Sequence, residues 1–306
     1  MSVEIIPFAQ GQALLDWLVL TEALEAGHLL PRAEIKDSFL YRGKDTVLSR
    51  AAWIDGLGIA VKSATIFPGN KALGKASVNG GVTLFSDADG TLEAVVDFHL
   101  VTKWKTAGDS LLAARKLARK DARKILIIGA GAVATSLREA YGALVPDAAF
   151  TVWNRSREGA EALAAAFPGM AVARDLEAAV RAADIVTSAT MTTEPILRGE
   201  WLQPGQHIDL IGAYRPDMRE ADDAALQRAR IFVDSRATTM EHIGELKAPL
   251  ASGVIAEGDV LADYYDLAGG GFARRSDDEI TLFKNGGGAH LDLMTSAYIL
   301  EAWRRR

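Results

Sequence analysis

The chain has 306 residues, and 34 basic against 40 acidic side chains give it a formal charge of −6. This length is typical of two domains, and the 49% apolar composition excludes a disordered or low-complexity protein. The absence of cysteine excludes disulfides, thiolate metal sites and a cysteine nucleophile, and the five histidines lack metal-ligand spacing. The acidic balance, the absence of a signal-peptide pattern and the lack of a long apolar run predict a cytoplasmic protein without nucleic-acid or membrane partners.

The first 120 residues combine helices with short strands. Leucines at helical spacing predict a helix over residues 11–26. Turn residues separate four predicted strands, which span 46–53, 57–67, 78–85 and 90–98. Asp89-Gly90 predicts a hairpin between the last two strands, because this dipeptide tolerates the positive φ of a tight turn. A helix with one apolar and one basic side is expected over 99–119.

From about residue 121, apolar strands alternate with helices. The predicted strands span 124–128, 149–154, a short segment near 171, 183–190, 207–213 and 230–234. The predicted helices span 132–145, 156–166, 175–182 and 219–228. Strands that are buried on both faces and alternate with helices predict a doubly wound parallel sheet. A last apolar helix, predicted over 289–303, is expected to return to the first domain.

The segment Gly129-Ala130-Gly131-Ala132-Val133-Ala134 fits the pattern G-x-G-x-x-[GA] between a strand and a helix. Gly129 would allow a tight turn, Gly131 would let the backbone approach a pyrophosphate, and Ala134 would let helix and strand pack closely. The phosphates would lie at the amide groups of the helix N-terminus. Since a second strand follows at the required place, the motif predicts a dinucleotide site, to which we also assign Thr190.

The end of the second strand of this unit indicates which dinucleotide binds. Sites specific for NAD usually place a carboxylate there, which binds the ribose 2′-hydroxyl. The segment Asn154-Arg155-Ser156-Arg157 contains no acid, and its arginines can form charge-assisted hydrogen bonds with a 2′-phosphate. The alternative is that they simply begin a solvated helix. We assign all four residues to the cofactor site and predict NADP(H), with NAD(H) as the open alternative.

Several segments in sequence resemble the ornithine cyclodeaminase/mu-crystallin family over nearly the whole chain. They are AVKSATIFPGN, LFSDADGTLEAVVD, LVTKWKTAGDSLLAARKLAR, KILIIGAGAVATSL, HIDLIGAYRPDMRE and DEITLFKNGGGAHLDL. The resemblance implies an α/β fold with a Rossmann-type doubly wound parallel sheet, here residues 121–287, that binds NADP(H). It also implies a smaller α+β domain for substrate binding and dimerisation, here residues 1–120 completed by the helix 288–306.

The resemblance implies roles for individual residues. Lys62 matches the lysine that holds the substrate carboxylate, and Ser77 matches a threonine of the substrate site. Lys105 stands where most members have arginine, and Thr106 continues that motif towards the cofactor. Arg50 occupies a region where many members have Met-Pro and is an additional candidate for the carboxylate. A substrate carboxylate that is removed from water needs cationic donors. If these lysines do not bind substrate, they are expected to reach solvent or to pair with an acid.

The loop 212–220 departs from the cyclodeaminase pattern. Ornithine cyclodeaminases carry an aspartate where this chain has Tyr214, and that aspartate handles the distal amine. The sequence Gly-Ala-Tyr-Arg-Pro-Asp-Met-Arg-Glu is similar to the loop of the mu-crystallin and ketimine-reductase branch. We therefore predict Lys62, Lys105 and Tyr214 as catalytic residues, and Tyr214 would shape the pocket or donate a hydrogen bond.

The predicted function is NAD(P)H-dependent reduction of a cyclic ketimine 2-carboxylate by a homodimer. The substrate would be Δ1-pyrroline-2-carboxylate or Δ1-piperideine-2-carboxylate, and the product L-proline or L-pipecolate. Such a reaction needs orientation, a carboxylate clamp and water exclusion more than a strong base. Three alternatives remain open: ornithine cyclodeaminase, an alanine-type amino-acid dehydrogenase, and an NADPH-binding protein without turnover.

Overall fold

The computed structural model describes residues 3–306, with the side chain of Lys71 left out. The chain forms two compact units, which we call unit 1 (residues up to Lys105 together with Gly288–Arg306) and unit 2 (Thr106–Gly287). The sequence placed a boundary after residue 120, at the end of a helix. The division instead falls between Lys105 and Thr106, inside that helix, which continues without interruption from one unit into the other.

Unit 1 contains a six-stranded sheet in the order β1-β6-β5-β4-β3-β2. Its strands are β1 (Glu4–Ile6), β2 (Glu34–Arg42), β3 (Asp45–Ile54), β4 (Gly58–Ile66), β5 (Val78–Phe85) and β6 (Leu92–Asp97). Only β1 pairs in parallel, with β6, and the other neighbours are antiparallel. The hairpin predicted at Asp89-Gly90 is confirmed, since β5 and β6 flank it.

The helices of unit 1 are α1 (Phe8–Gln12), α2 (Trp17–His28), the first part of α3 (Phe98–Leu117) and α10 (Ala289–Arg304). The expectation of one helix over 11–26 was wrong, because Asp16 begins a new helix. Its carboxylate accepts hydrogen bonds from the amides of Leu18 at 2.8 Å and Val19 at 3.0 Å, which are N-cap contacts. The last helix, α10, packs on β3 and β4 of unit 1.

Unit 2 contains an eight-stranded parallel sheet in the order β13-β12-β14-β11-β10-β7-β8-β9. Its strands are β7 (Lys124–Ile128), β8 (Ala149–Trp153), β9 (Ala171–Val172), β10 (Ile185–Ser188), β11 (His207–Leu210), β12 (Arg230–Val233), β13 (Val260–Ala262) and β14 (Thr281–Lys284). The predicted parallel doubly wound sheet is therefore confirmed. Strands β10, β11 and β14 are buried along their whole length.

The helices of unit 2 are the rest of α3, α4 (Ala132–Leu144), α5 (Arg157–Ala166), α6 (Leu176–Ala182), α7 (Asp223–Arg228), α8 (Arg236–Thr239) and α9 (Gly244–Ser252). The helix predicted over 219–228 begins only at Asp223, because the Asp222 carboxylate accepts from the amide of Ala225 at 2.9 Å. Within residues 3–306, no helix is both long and apolar enough to cross a bilayer.

The order of strands in unit 2 reverses at β7. From β7 the chain moves outwards through β8 to β9, and then returns to β10 on the other side of β7. Open parallel sheets bind ligands beyond the carboxyl ends of their strands at such a reversal. The loops that follow β7, β8 and β10 are therefore the place to look for a bound group.

Candidate functional site

The turn after β7 has a backbone conformation that only glycine adopts easily. Gly129 has a φ of +111°, and its amide donates to the carbonyl of Trp153 at 2.8 Å. A Cβ atom at this position would lie 2.8 Å from the carbonyl oxygen of Ala189, which is closer than real contacts allow. The loop thus packs directly on the segment after β10.

The start of α4 offers uncapped amide groups. Gly131 precedes the helix with an extended backbone, and no side chain caps the first turn. A Cβ at Gly131 would meet no atom within 4 Å, so open space faces the loop. Ala134 is fully buried, as expected for close packing of helix and strand. Free amides at a helix N-terminus and open space beside them fit a pyrophosphate group.

These loops enclose a cavity of about 250 Å³. Six of the predicted cofactor residues line it, namely Gly129, Ala130, Gly131, Asn154, Arg155 and Thr190. Its remaining lining comes from residues that the sequence did not single out for the site: Trp153, Ala189, Met191, Thr192 and Ile196. The strand ends that the motif predicted therefore do converge on one cavity in unit 2.

Five predicted cofactor residues do not line this cavity. Ala132 and Val133 begin α4, and the Thr106 carbonyl accepts from Asn285 Nδ2 at 3.0 Å. Ser156 caps α5 through a contact of 3.3 Å from the Gly159 amide. Arg157 is exposed, and its Nε donates to Glu161 at 2.6 Å.

The two arginines after β8 therefore differ. Arg155 is exposed and lines the cavity, and within the described part of the chain it forms no ion pair. Arg157 already has a carboxylate partner one helical turn away. Of the two, Arg155 is the residue whose guanidinium is available to a phosphate in this cavity.

Unit 1 gathers three of the predicted substrate residues around one carboxylate. Arg50 on β3 and Lys62 on β4 are paired neighbours in the sheet, and Lys105 is the last residue of the part of α3 that belongs to unit 1. Lys62 Nζ donates to Asp292 Oδ1 at 2.8 Å and to Thr102 Oγ1 at 2.9 Å. Asp292 belongs to α10 and is 1% exposed. We call Arg50, Lys62, Lys105 and Asp292 the cation cluster.

Burial and neighbouring charges shift the protonation of the cation cluster. Burial lowers the pKa of Lys62 to about 8, although the charge of Asp292 opposes this shift. Burial would raise the pKa of Asp292, but the charges of Lys62, Lys105 and Arg50 outweigh it and the net shift is downwards. Asp292 is therefore ionised at neutral pH, and Lys62 is protonated but close to its titration point.

When Asp37, the partner of Arg50, is counted with it, the cation cluster has one positive charge more than the carboxylates neutralise. Arg50 makes a two-point contact with Asp37, at 2.8 and 3.3 Å, and Lys62 pairs with Asp292. Lys105 is 7% exposed, and within residues 3–306 no carboxylate forms an ion pair with it. Buried charges in proteins are normally paired, so this excess favours binding of an anion.

The remaining two predicted residues, Ser77 and Tyr214, belong to different units. Ser77 directly precedes β5, whose first residue pairs with Ile66, whereas Lys62 pairs with Val82 near the other end. Tyr214 belongs to unit 2, where its side chain is 57% exposed in the loop after β11. Tyr214 does not line the cavity of unit 2.

Sequence reasoning missed two buried carboxylates that shape these sites. From the sequence, Asp292 matches the acid that the family carries after its glycine run, with capping or orienting the helix as the alternative. Its pairing with Lys62 joins residues 230 positions apart. Glu220 was quoted as part of a loop, although its side chain holds the segment around Thr190. For Asp292 the available signal was an acid within the apolar start of the last helix, since acids are seldom buried without partners. Glu220 lies among charged residues and offered no such signal. Within the described residues, no cluster of side chains suits a metal ion.

Known proteins resemble this chain in sequence and in fold. The model of the ornithine cyclodeaminase/mu-crystallin family matches residues 53–306. A Delta(1)-pyrroline-2-carboxylate reductase of Paracoccus denitrificans is 51% identical and covers 97% of this chain and 96% of its own. The ketimine reductase mu-crystallin of Mus musculus is 33% identical over 80% of this chain and 76% of its own. An archaeal alanine dehydrogenase dimer with bound NAD superposes with a TM-score of 0.89 at 27% identity, covering 100% of this chain and 97% of that one.

Proposed function

The chain belongs to the ornithine cyclodeaminase/mu-crystallin family, and we propose on this basis that it reduces a cyclic ketimine 2-carboxylate with NADPH. The substrate is Δ1-pyrroline-2-carboxylate or its six-membered homologue, and the product is L-proline or L-pipecolate. The relative at 51% identity carries the name of this activity for the five-membered ring. Tyr214 in place of the cyclodeaminase aspartate supports the reductase branch of the family.

The observation that carries the proposal is the unneutralised cation cluster of unit 1. A 2-carboxylate that leaves water must find charged donors, or its desolvation is prohibitive. Lys105 supplies the unpaired charge, and Lys62 and Arg50 supply further donors beside it. The cation cluster thus selects a small anionic substrate and fixes its orientation.

The cavity of unit 2 fits a nicotinamide dinucleotide. Its glycine turn, its uncapped helix N-terminus and the exposed Arg155 match a pyrophosphate and a 2′-phosphate. When bound, the cofactor supplies the hydride that reduces the imine carbon. The residues of the chain then need only bind, orient and shield the reactants, and this accounts for a site without an obvious strong base. We infer NADP(H) over NAD(H) because no acid follows β8.

A second candidate function is an alanine-type amino-acid dehydrogenase. The structural likeness to the archaeal alanine dehydrogenase favours it, because the whole chain superposes on that protein. The same cation cluster would bind the carboxylate of alanine or pyruvate. This candidate differs in its substrate, which is acyclic and exchanges ammonia with the solvent.

We also infer that two copies of the chain assemble, as that neighbour does. The edge strand β2 exposes Phe39, Leu40 and Tyr41 to 49%, 71% and 73%. Such a run of apolar side chains beside unpaired backbone groups is a liability on an isolated edge strand. A second copy of the chain would cover it.

Purified protein should oxidise NADPH in the presence of Δ1-pyrroline-2-carboxylate or Δ1-piperideine-2-carboxylate, as followed by nicotinamide absorbance. Two control reactions separate the other functions. Release of ammonia from L-ornithine in the presence of NAD⁺ tests cyclodeamination, which returns the cofactor to NAD⁺, and oxidation of either reduced cofactor by pyruvate with ammonia tests the dehydrogenase. Faster turnover in either control would assign that function instead. Tight NADPH binding without any turnover would make the chain a binding protein.

The KM for the imine is expected to rise as the pH increases through about 8, because Lys62 then loses its charge. Asp292 raises the pKa of Lys62, so the variant Asp292→Asn should move this break to lower pH. The imine itself titrates identically in both experiments, and the difference between the two profiles therefore reports the protein. Asp37→Asn is the matched control, since Asp37 contacts Arg50 and not Lys62. Superimposable profiles for wild type and Asp292→Asn would contradict the assignment.

A further inference from the structure

Glu220 is a fully buried carboxylate that joins the ends of two neighbouring strands. Its Oε1 accepts from Ser188 Oγ at 2.6 Å, from the Thr190 amide at 2.7 Å and from Thr190 Oγ1 at 2.8 Å. Its Oε2 accepts from the Gly212 amide at 2.6 Å and the Ala213 amide at 3.4 Å. One side chain therefore fixes the segments that follow β10 and β11.

These two segments also touch each other and the glycine turn. Gly212 lies so close to Thr190 that a Cβ there would collide with the Thr190 backbone. Next along the chain, the carbonyl of Ala189 packs on Gly129. A contact series thus runs from Glu220 through Thr190 and Ala189 to the turn that we assign to the pyrophosphate. A displacement of Thr190 would be transmitted directly to that turn.

The backbone around Glu220 also holds the rest of the segment after β10, which forms one wall of the cavity. The Arg219 amide donates to the Thr192 carbonyl at 3.2 Å, and the Glu220 carbonyl accepts from the Ile196 amide at 3.0 Å and the Leu197 amide at 2.9 Å. Thr190, Thr192 and Ile196 all line the cavity of unit 2. The part of the cavity lining that lies between Thr190 and Ile196 is therefore anchored by the loop around Glu220.

A second buried carboxylate, Glu245, holds the backbone of the loop that carries Glu220. Glu245 accepts from the amides of Glu220 at 2.7 Å and Ala221 at 2.9 Å, which fixes the direction of the loop. Burial, followed by the charge of Glu220, raises the pKa of Glu245 to about 7. The buried ammonium of Lys284 interacts electrostatically with both carboxylates. The amides that reach Glu220 can only donate, so they require an acceptor at this position.

We propose that Glu220 is a positioning residue for the dinucleotide: it holds the wall from Ala189 to Ile196 in the shape that the cofactor requires. This inference rests on the proposed function, because it takes the cavity as the cofactor site. Glu220 does not line the cavity. Its substitution should therefore act on cofactor binding through the wall, and more strongly than on imine affinity.

The first test is the dissociation constant of NADPH, measured by fluorescence titration, for Glu220→Gln. The amide group of glutamine must point its own donors at the donors around Thr190 or Gly212, so the constant should rise about tenfold. The KM for NADPH should rise in parallel, and by a larger factor than the KM for the imine. Asp209→Asn is the matched control: Asp209 is equally buried, and its three hydroxyl donors, Ser110, Tyr141 and Thr187, do not line the cavity.

A second pair of variants keeps the test decisive if Glu220→Gln fails to fold. Ser188 and Thr187 are adjacent buried hydroxyls on β10, and they donate to Glu220 and to Asp209 respectively. Ser188→Ala should weaken NADPH binding about threefold to tenfold, and Thr187→Val should leave it within ~2-fold of wild type. Equal effects of the two variants, or unchanged NADPH binding in Ser188→Ala, would overturn the positioning role. Absence of NADPH binding in the wild-type protein would instead overturn the proposed function.

Discussion

Replacement of Lys62 by methionine is expected to lower kcat/KM for the cyclic imine by at least ~10²-fold, because the substrate carboxylate loses a buried charge-assisted contact. The Lys62 side chain is nearly buried, and its ammonium lies 4.8 Å from the centre of the Phe98 ring. Methionine keeps the length and the apolar stem of the side chain, so this packing is retained. Steady-state kinetics at saturating NADPH measure the loss.

The same substitution is also expected to destabilise unit 1. It leaves Asp292 buried without its principal cation, and breaking one partner of a buried pair costs about 3–5 kcal/mol. The double variant Lys62→Met/Asp292→Leu removes both charges and should recover most of the free energy of unfolding. It should not recover turnover of the imine. Urea unfolding and kinetics on the single and double variants therefore separate the structural role of Lys62 from its role in binding.

The matched control is Lys36→Met, which removes an exposed lysine from β2 of the same sheet. It should leave both kcat/KM and the free energy of unfolding close to wild type. If the folded Lys62→Met protein turned over the imine at nearly the wild-type rate, Lys62 would serve only as the counterion of Asp292. The substrate carboxylate would then have to bind elsewhere than the cation cluster.

Local requirements explain which parts of the fold the sequence predicted well. The glycine turn could be predicted because only a glycine tolerates the positive φ at position 129. The parallel sheet could be predicted because apolar strands alternate with helices along this part of the chain. The strand β5 was predicted with its observed bounds. Each of these features depends on residues that are close together in the chain.

Features that depend on distant or exposed residues were missed. Nearly every position of β2 is exposed, so it lacks the alternation that marks a half-buried strand. The break before α2 depends on one capping side chain, Asp16, within an otherwise helical pattern. The division between the units falls inside α3, where the local sequence has no reason to change.

The candidate sites show the same distinction. The sequence supplied the types of residue, since cations suit a carboxylate and a glycine turn suits a pyrophosphate. It did not supply their partners: Asp292 reaches Lys62 from the last helix, and Glu220 reaches Thr190 across 30 positions. These contacts decide which cation lacks a carboxylate partner and which wall of the cavity is held in place. Both properties emerge only when the chain is folded.

Replacement of Arg155 by alanine is expected to raise the dissociation constant of NADPH about 10- to 100-fold and that of NADH less than ~3-fold. The guanidinium would contact the 2′-phosphate, which NADH lacks, through charge-assisted hydrogen bonds. Arg155 is exposed at the cavity, so added salt should weaken NADPH binding to wild type more than to the variant. Fluorescence titrations with both cofactors at two ionic strengths measure these effects.

Arg157→Ala is the matched control for this prediction. Arg157 lies two residues further on, outside the cavity, and is paired with Glu161. Its loss should change NADPH binding less than ~3-fold, because an exposed ion pair contributes little and the phosphate does not depend on it. If Arg155→Ala raised the dissociation constants of NADPH and NADH by the same factor, the arginine side chain would support the loop and would not bind the 2′-phosphate. The preference for NADP(H) would then have no basis at the end of β8, where the chain offers neither an acid for a ribose hydroxyl nor another unpaired arginine.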